Sequence, residues 1–144
     1  GAAKNAAVLA AAAAEPHGLN AAGIAAAAVW DECVGYAVKH GADLETFNGL
    51  AGVGDLLATV MASGSRNRRA GELLGKGSAP DQIRETIGQA SEALDSVPQI
   101  AATVAADGCP AEALTGLADL ATGRIGSDEW VAALRRSGHS RRAA

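Results

Sequence analysis

Residues 6–14 read Ala-Ala-Val-Leu-Ala-Ala-Ala-Ala-Ala, and this run constrains the fold more than any other segment. Alanine is the strongest helix former, and nothing in the run favours a strand. Its side chains are short, so a helix of this kind packs by letting its neighbours approach closely. The rest of the chain points the same way. Alanine and leucine dominate, β-branched runs are absent and aromatics make up 3% of residues, so an all-α domain is predicted. Helices are expected near 2–14, 19–39, 44–49, 53–62, 66–75, 80–87, 92–106, 111–122 and 128–136. The punctuation agrees. Glu15-Pro16-His17-Gly18 ends the first helix, Gly41 ends the second and Asp43 can cap the third. Pro80 suits a first turn, and Gly108 and Pro110 separate two later helices. Asp128 and Glu129 after Ser127 suit the positive end of the last. The long helix at 19–39 reads as the central one, because its small residues Ala25 to Ala28 admit neighbours.

The 144 residues suffice for one domain with a sizeable core, placed at 1–137, followed by a basic tail at 138–144 expected to be disordered. A net charge of −4 argues against nucleic acid as a partner. No apolar run reads as long enough to span a membrane, and the alanine run lacks the flanks of a signal peptide. Cys33 and Cys109 fit no metal or redox spacing and read as reduced thiols of a cytoplasmic protein. His17, His40 and His139 are scattered, so no metal is expected. Trp30 and Trp130 read as core or subunit contacts. Two glycine segments resemble nucleotide loops and fail as such. Gly52-Val53-Gly54 has Leu57 at the third glycine position and no strand before it. Gly71 to Gly77 is one residue short of a phosphate loop, and its Lys76 is followed by glycine.

Some polar residues stand out against this background. Lys4 sits among alanines, which predicts a small, dry surface where desolvation brings a lysine toward the working range of a general acid or base. Taken alone, it also reads as a solvated lysine near a chain end. Asp55 follows a glycine turn and opens a helix, where it serves either as a plain first-turn carboxylate or as the partner that orients Lys4. Thr59 lies one turn further on the same face, available to a substrate or to its own helix backbone. Ser65 is a good cap, Arg66 is a forked donor and Asn67 an amide donor. Together they make an anion site at a helix start, or else a solvated basic turn. Arg68 and Arg69 read as structural ion pairs.

Four motifs then fall in order: Gly1-Ala2-Ala3-Lys4-Asn5, Gly49 to Leu56 (G-L-A-G-V-G-D-L), Ser65 to Arg69 (S-R-N-R-R) and Gly88-Gln89-Ala90-Ser91-Glu92. In this order and at these spacings, from Gly1 to about Gly138, they resemble the C-terminal domain of NAD(P)-dependent glycerol-3-phosphate dehydrogenase. The resemblance implies a multi-helix domain like the C-terminal domain of 6-phosphogluconate dehydrogenase-like enzymes, with a Rossmann domain of the same protein as its partner. It implies an oxidoreductase that interconverts dihydroxyacetone phosphate and sn-glycerol 3-phosphate with NAD or NADP, in the supply of phospholipid precursors. Lys4 and Asp55 would be catalytic. Lys4, Asn5, Asp55, Thr59, Ser65, Arg66 and Asn67 would hold substrate, and Arg66, Ala90 and Glu92 would face the cofactor. The chain alone would not turn over, and a homodimer is allowed. Two positions depart from the family pattern: Asp95 stands where an arginine is usual, and Ala28-Val29 stands for an Arg-Gly pair. The readings left beside this one are a divergent dehydrogenase for another small phosphorylated hydroxy substrate and a non-catalytic helical interaction domain.

Overall fold

The computed structural model describes residues 1–88 and 91–143, with side chains described through Gly138. Among them the elements are α1 (Ala2–Ala14), α2 (Leu19–Lys39), α3 (Leu44–Asn48), α4 (Asp55–Met61), α5 (Arg66–Gly75), α6 (Pro80–Ile87), α7 (Glu92–Ala106), α8 (Glu112–Ala121) and α9 (Ser127–Ala143), and no strand. A 3-10 turn at Glu15–His17 follows α1. The predicted all-α class and the predicted helices are all present.

The centre of the fold is α1, not the long helix at 19–39. Every residue from Ala6 to Ala14 is at most 3% exposed. A helix that is apolar all round has no face to offer water, so it goes to the middle. It lies against α2 and α5 and also touches α4 and α7. Glycines let α5 come close. A Cβ on Gly71 would meet the Leu9 carbonyl oxygen at 2.5 Å and Ala12 Cβ at 2.7 Å, and one on Gly75 would meet the Ala13 carbonyl oxygen at 2.7 Å. By contrast α2 buries one stripe (Ala21, Ala25, Val29, Glu32, Cys33, Val34) and leaves Leu19, Ile24 and Val38 exposed. The sequence reading found no span, yet α2, with 21 residues and a mean hydropathy of 1.2, is long and apolar enough to cross a membrane by length and composition. Here its buried stripe belongs to the same core as α1.

On the other side, Val97 and Val104 of α7, Leu114 and Leu117 of α8 and Trp130 of α9 close the core. Trp130 is a core residue, 1% exposed, and its indole N–H donates to the Ala113 carbonyl at 3.3 Å. Trp30 packs edge-on against Phe47, with ring centroids 5.9 Å apart. α8 has Ala111 at its cap position, which offers no side-chain acceptor. Glu32, 4% exposed on α2, replaces it, accepting from the N–H groups of Ala113 (2.9 Å) and Leu114 (2.8 Å). A carboxylate at a helix N-terminus satisfies orphan donors and the helix dipole together.

α9 extends to Ala143 and so takes in most of the segment expected as a disordered tail at 138–144. The glycine segment before Asp55 is not a simple turn. Leu50–Gly54 forms a π-helical turn, with the Gly54 N–H donating to the Gly49 carbonyl at 3.2 Å, and it runs directly into α4. Gly52 makes this possible, since a Cβ there would overlap the backbone of Phe47.

Candidate functional site

Four segments that lie far apart in sequence meet at one edge of the core: the start of α1, the start of α4, the start of α5 and the start of α7. Lys4 Nζ donates to Asp55 Oδ2 at 2.8 Å across 51 residues. The next residue, Asn5, donates its amide to Glu92 Oε2 at 3.0 Å. The predicted pairing of Lys4 with Asp55 is therefore present. The dry surface predicted around Lys4 is only partial, for its side chain stays 27% exposed and that of Asp55 52%. Alanines bury a helix well at its middle, but Lys4 lies in the first turn, at the rim.

The start of α5 is built as predicted. Ser65 caps it, accepting from the Arg68 N–H at 3.3 Å, and its carbonyl takes the Arg69 N–H at 2.9 Å. The first N–H groups of a helix lie beyond the reach of its own carbonyls, which is what makes this capped turn a candidate anion site. Three arginines at the positive end of a helix carry the wrong sign for its dipole. Arg68 and Arg69 are offset locally, as expected. Arg68 pairs with Glu15 at 2.7 Å and Glu72 at 3.2 Å, and Arg69 pairs with Glu72 at 3.5 Å. Arg68 also donates to the Val60 carbonyl, tying α5 to the end of α4. Asn5, Gly64, Ser65, Arg66, Asn67 and Glu92 line a cavity of about 280 Å³.

Thr59 takes the second of its two readings, and Asn67 is used differently from the first expectation. The Thr59 hydroxyl donates to the Asp55 carbonyl at 2.8 Å, so its proton serves the helix backbone. Asn67 turns its amide oxygen toward α7, where Ser91 Oγ donates at 2.9 Å and the Ala93 N–H at 3.0 Å. Glu92, which only the family resemblance singled out, lines the same cavity as Arg66. Ala90 falls outside the described residues. Sequence reasoning assigned no role at the site or in the core to Ser91, Glu32 or Glu15. Ser91 carried a readable signal, a serine immediately before a helical pattern. The pairing of Glu15 with Arg68, 53 residues apart, carried none.

Asp95, the charge reversal, is matched locally by Arg84 of α6 at 3.0 Å. Away from the site, Asp107 at the end of α7 accepts from Lys39 (2.8 Å) and His40 (3.1 Å) at the end of α2, and their hydrogen bonds lower its pKa to about 2. Both cysteines are free. Burial, with Glu32 alongside, pushes the Cys33 thiol up to about 11, which marks an inert core residue. Among the described residues no group of three or more His, Cys, Asp or Glu side chains could hold a metal.

Residues 1–132 match the family described as NAD-dependent glycerol-3-phosphate dehydrogenase C-terminus. The chain is 44% identical over 77 residues to glycerol-3-phosphate dehydrogenase [NAD(P)+] of Leifsonia xyli, covering 54% of this chain and 21% of that protein. It is 47% identical over 57 residues to the enzyme of the same name from Halalkalibacterium halodurans, covering 40% and 16%. The crystal structure of glycerol-3-phosphate dehydrogenase from Coxiella burnetii superposes with a TM-score of 0.79 at 29% identity, over 93% of this chain and 42% of that one. The matched segments thus span about a fifth of these curated relatives and less than half of the solved structure. With the Lys4–Asp55 pair, the capped Ser65-Arg66-Asn67 turn and the all-α fold in place, the chain belongs to the family of NAD-dependent glycerol-3-phosphate dehydrogenase C-terminal domains.

Proposed function

We propose that this chain is the substrate-binding, proton-transferring half of a two-domain dehydrogenase that interconverts dihydroxyacetone phosphate and sn-glycerol 3-phosphate. The observation that carries the proposal is the 2.8 Å contact between Lys4 Nζ and Asp55 Oδ2, one residue before Asn5, which lines a cavity together with Arg66. Reduction of the ketone needs a hydride at the carbonyl carbon, which is the chemistry a nicotinamide supplies, and a proton at the carbonyl oxygen. The proton is this chain's part. Lys4 hands it from Nζ to the developing alkoxide, and Asp55 holds the ammonium in place. In the reverse direction Lys4 takes the hydroxyl proton back. The phosphate rests at the start of α5, on the N–H groups of Arg66 and Asn67, the Arg66 guanidinium and the Asn67 amide. Binding energy at this non-reacting end positions the carbonyl.

The cofactor is NAD or NADP. The described residues contain no strand and no dinucleotide loop, so this chain offers it one wall only. Arg66 and Glu92, which line the same cavity, are the described residues that would face it. The dinucleotide itself is assigned to a Rossmann domain of the same protein. The proposed direction is reduction, supplying glycerol phosphate for phospholipids, and the proposed compartment is the cytoplasm, in keeping with two free thiols.

The test follows nicotinamide absorbance in the complete dehydrogenase with dihydroxyacetone phosphate. Lys4→Ala is expected to lower kcat by about 10²–10⁴. Its melting point should hardly move, since a half-exposed ion pair is worth about 0–1 kcal/mol. Full turnover in the variant removes the proton-donor role from Lys4. No wild-type turnover with either cofactor favours the divergent dehydrogenase acting on another phosphorylated hydroxy compound.

A further inference from the structure

Ser91 is 2% exposed and stands immediately before α7, with no role so far except as that helix's cap. Its hydroxyl oxygen accepts from the Leu94 N–H at 3.4 Å, and its one proton goes to Asn67 Oδ1 at 2.9 Å. The Ala93 N–H donates to the same oxygen at 3.0 Å. A backbone N–H can only donate, so α7 fixes which branch of the Asn67 amide is oxygen and which is nitrogen. With the oxygen held by two donors from α7, the NH₂ is what Asn67 can present to the cavity it lines with Ser65 and Arg66.

We propose that Ser91 is a positioning residue for the substrate's phosphate, acting through Asn67. Together with the Ala93 N–H, it holds the amide in the one orientation that offers donors to an anion. Reversed, the amide would point an oxygen at a phosphate and repel it. The same bond ties the start of α5 to the first turn of α7, from which Glu92 reaches Asn5 at 3.0 Å. The phosphate end of the site and the Glu92 wall therefore hold each other in register. This inference rests on the reading of Asn67 as a phosphate ligand.

The experiment is a double-mutant cycle in the complete dehydrogenase, with KM for dihydroxyacetone phosphate and kcat measured for wild type, Ser91→Ala, Asn67→Ala and the pair. Ser91→Ala is expected to raise KM about five-fold, the weight of one neutral hydrogen bond, and to leave kcat within about two-fold. In the Asn67→Ala background the same change should add nothing, because Ser91 then has no amide left to orient. Ser91→Thr, which keeps the hydroxyl, should restore KM. Should Ser91→Ala not fold, Ser91→Cys, close in size and a weak donor, is expected to give the same rise. An unchanged KM in the folded Ser91 variant, or a full five-fold increment on top of Asn67→Ala, overturns the inference and leaves the proposed function standing. If Asn67→Ala leaves KM unchanged while turnover persists, the phosphate role of Asn67 falls and the inference falls with it. Absence of wild-type turnover counts against the proposed function itself.

Discussion

The seam between α1 and α5 and the arm formed by the π-helical turn and α4 both contribute to the site, but they are built on opposite terms. The seam buries Ala6 to Ala14 of α1 against Ala70, Gly71 and Leu74 of α5, its backbones brought together by Gly71 and Gly75. In the arm Leu50 is 92% exposed, Leu57 55% and Met61 79%, and only Gly52 and Leu56 are buried. Lys4 and Ser65-Arg66-Asn67 sit on the two helices of the seam, and Asp55 sits on the arm. Lys4 and the Ser65-Arg66-Asn67 turn, the proposed proton donor and phosphate site, are thus carried by helices of the core, while Asp55, the proposed orienting carboxylate, is delivered by a largely exposed arm. A π-helical turn places Asp55, in keeping with the frequent use of such turns at functional sites.

The largest expected effect comes from breaking the seam. Gly71→Ala places a Cβ 2.5 Å from the Leu9 carbonyl oxygen and 2.7 Å from Ala12 Cβ. Neither is the end of a flexible side chain, so the helices must separate, at a cost of about 3 kcal/mol measurable by urea unfolding. A loss under about 0.5 kcal/mol would mean that α5 slides freely, and the seam would not be the rigid half of the comparison. Gly52→Ala tests the arm at its one tight point, where the new Cβ overlaps the Phe47 backbone. Here the expected loss is mainly in activity. Displacing Asp55 from Lys4 by about 1 Å should cost on the order of 10²-fold in turnover in the complete enzyme. The unfolding free energy should fall less than in Gly71→Ala, because so little of the arm is buried. A larger stability loss than in Gly71→Ala would reverse the ranking of the two regions.

Most of this was legible in the sequence, for identifiable reasons. Alanine density, capping serines and glycine stops are local signals, and they placed the helices with few errors. The candidate site residues lie at helix starts; taken alone Lys4 also reads as a solvated lysine, and it is the order and spacing of the four motifs that single out Lys4 and Glu92. Two features were not legible. The central helix was misassigned because α2 is longer, whereas what decides the centre is the absence of any polar face, as in α1. The double use of Asn67 was missed because an amide has two ends, and only the fold shows that α7 takes the oxygen. The buried Glu32 shows the same limit, since its partners lie 81 and 82 residues away.

A smaller effect should appear at the rim of the core, where Asp107 ties α7 to Lys39 and His40 of α2. These hydrogen bonds lower its pKa from 3.8 to about 2. Between those values the unfolded chain binds a proton that the folded one does not. The contribution is therefore complete above about pH 4 and disappears as pH falls through about 2. In urea titrations, Asp107→Asn should have a lower midpoint than wild type at pH 5, and the gap should close by pH 2. A gap that stays constant over this range would show that the carboxylate's charge plays no part in holding the two helix ends.

The smallest effect is expected on the exposed ridge of the arm. Leu57 and Met61 are one turn apart on α4 and both face solvent. Replacing both by serine removes no buried apolar area from the core, so the unfolding free energy of this chain should stay within about 0.5 kcal/mol of wild type. Serine has a lower helix propensity than leucine or methionine, and that alone sets the direction as slightly destabilising. A loss of 2 kcal/mol or more, the scale of a buried leucine, would place α4 inside the cooperative core and erase the contrast between arm and seam. A small loss confirmed in the same urea titration would leave Asp55 on an element whose position owes more to Gly52, Leu56 and the Lys4 ion pair than to its own apolar face. Changes to that ridge could then tune the Lys4–Asp55 geometry without first unfolding the protein.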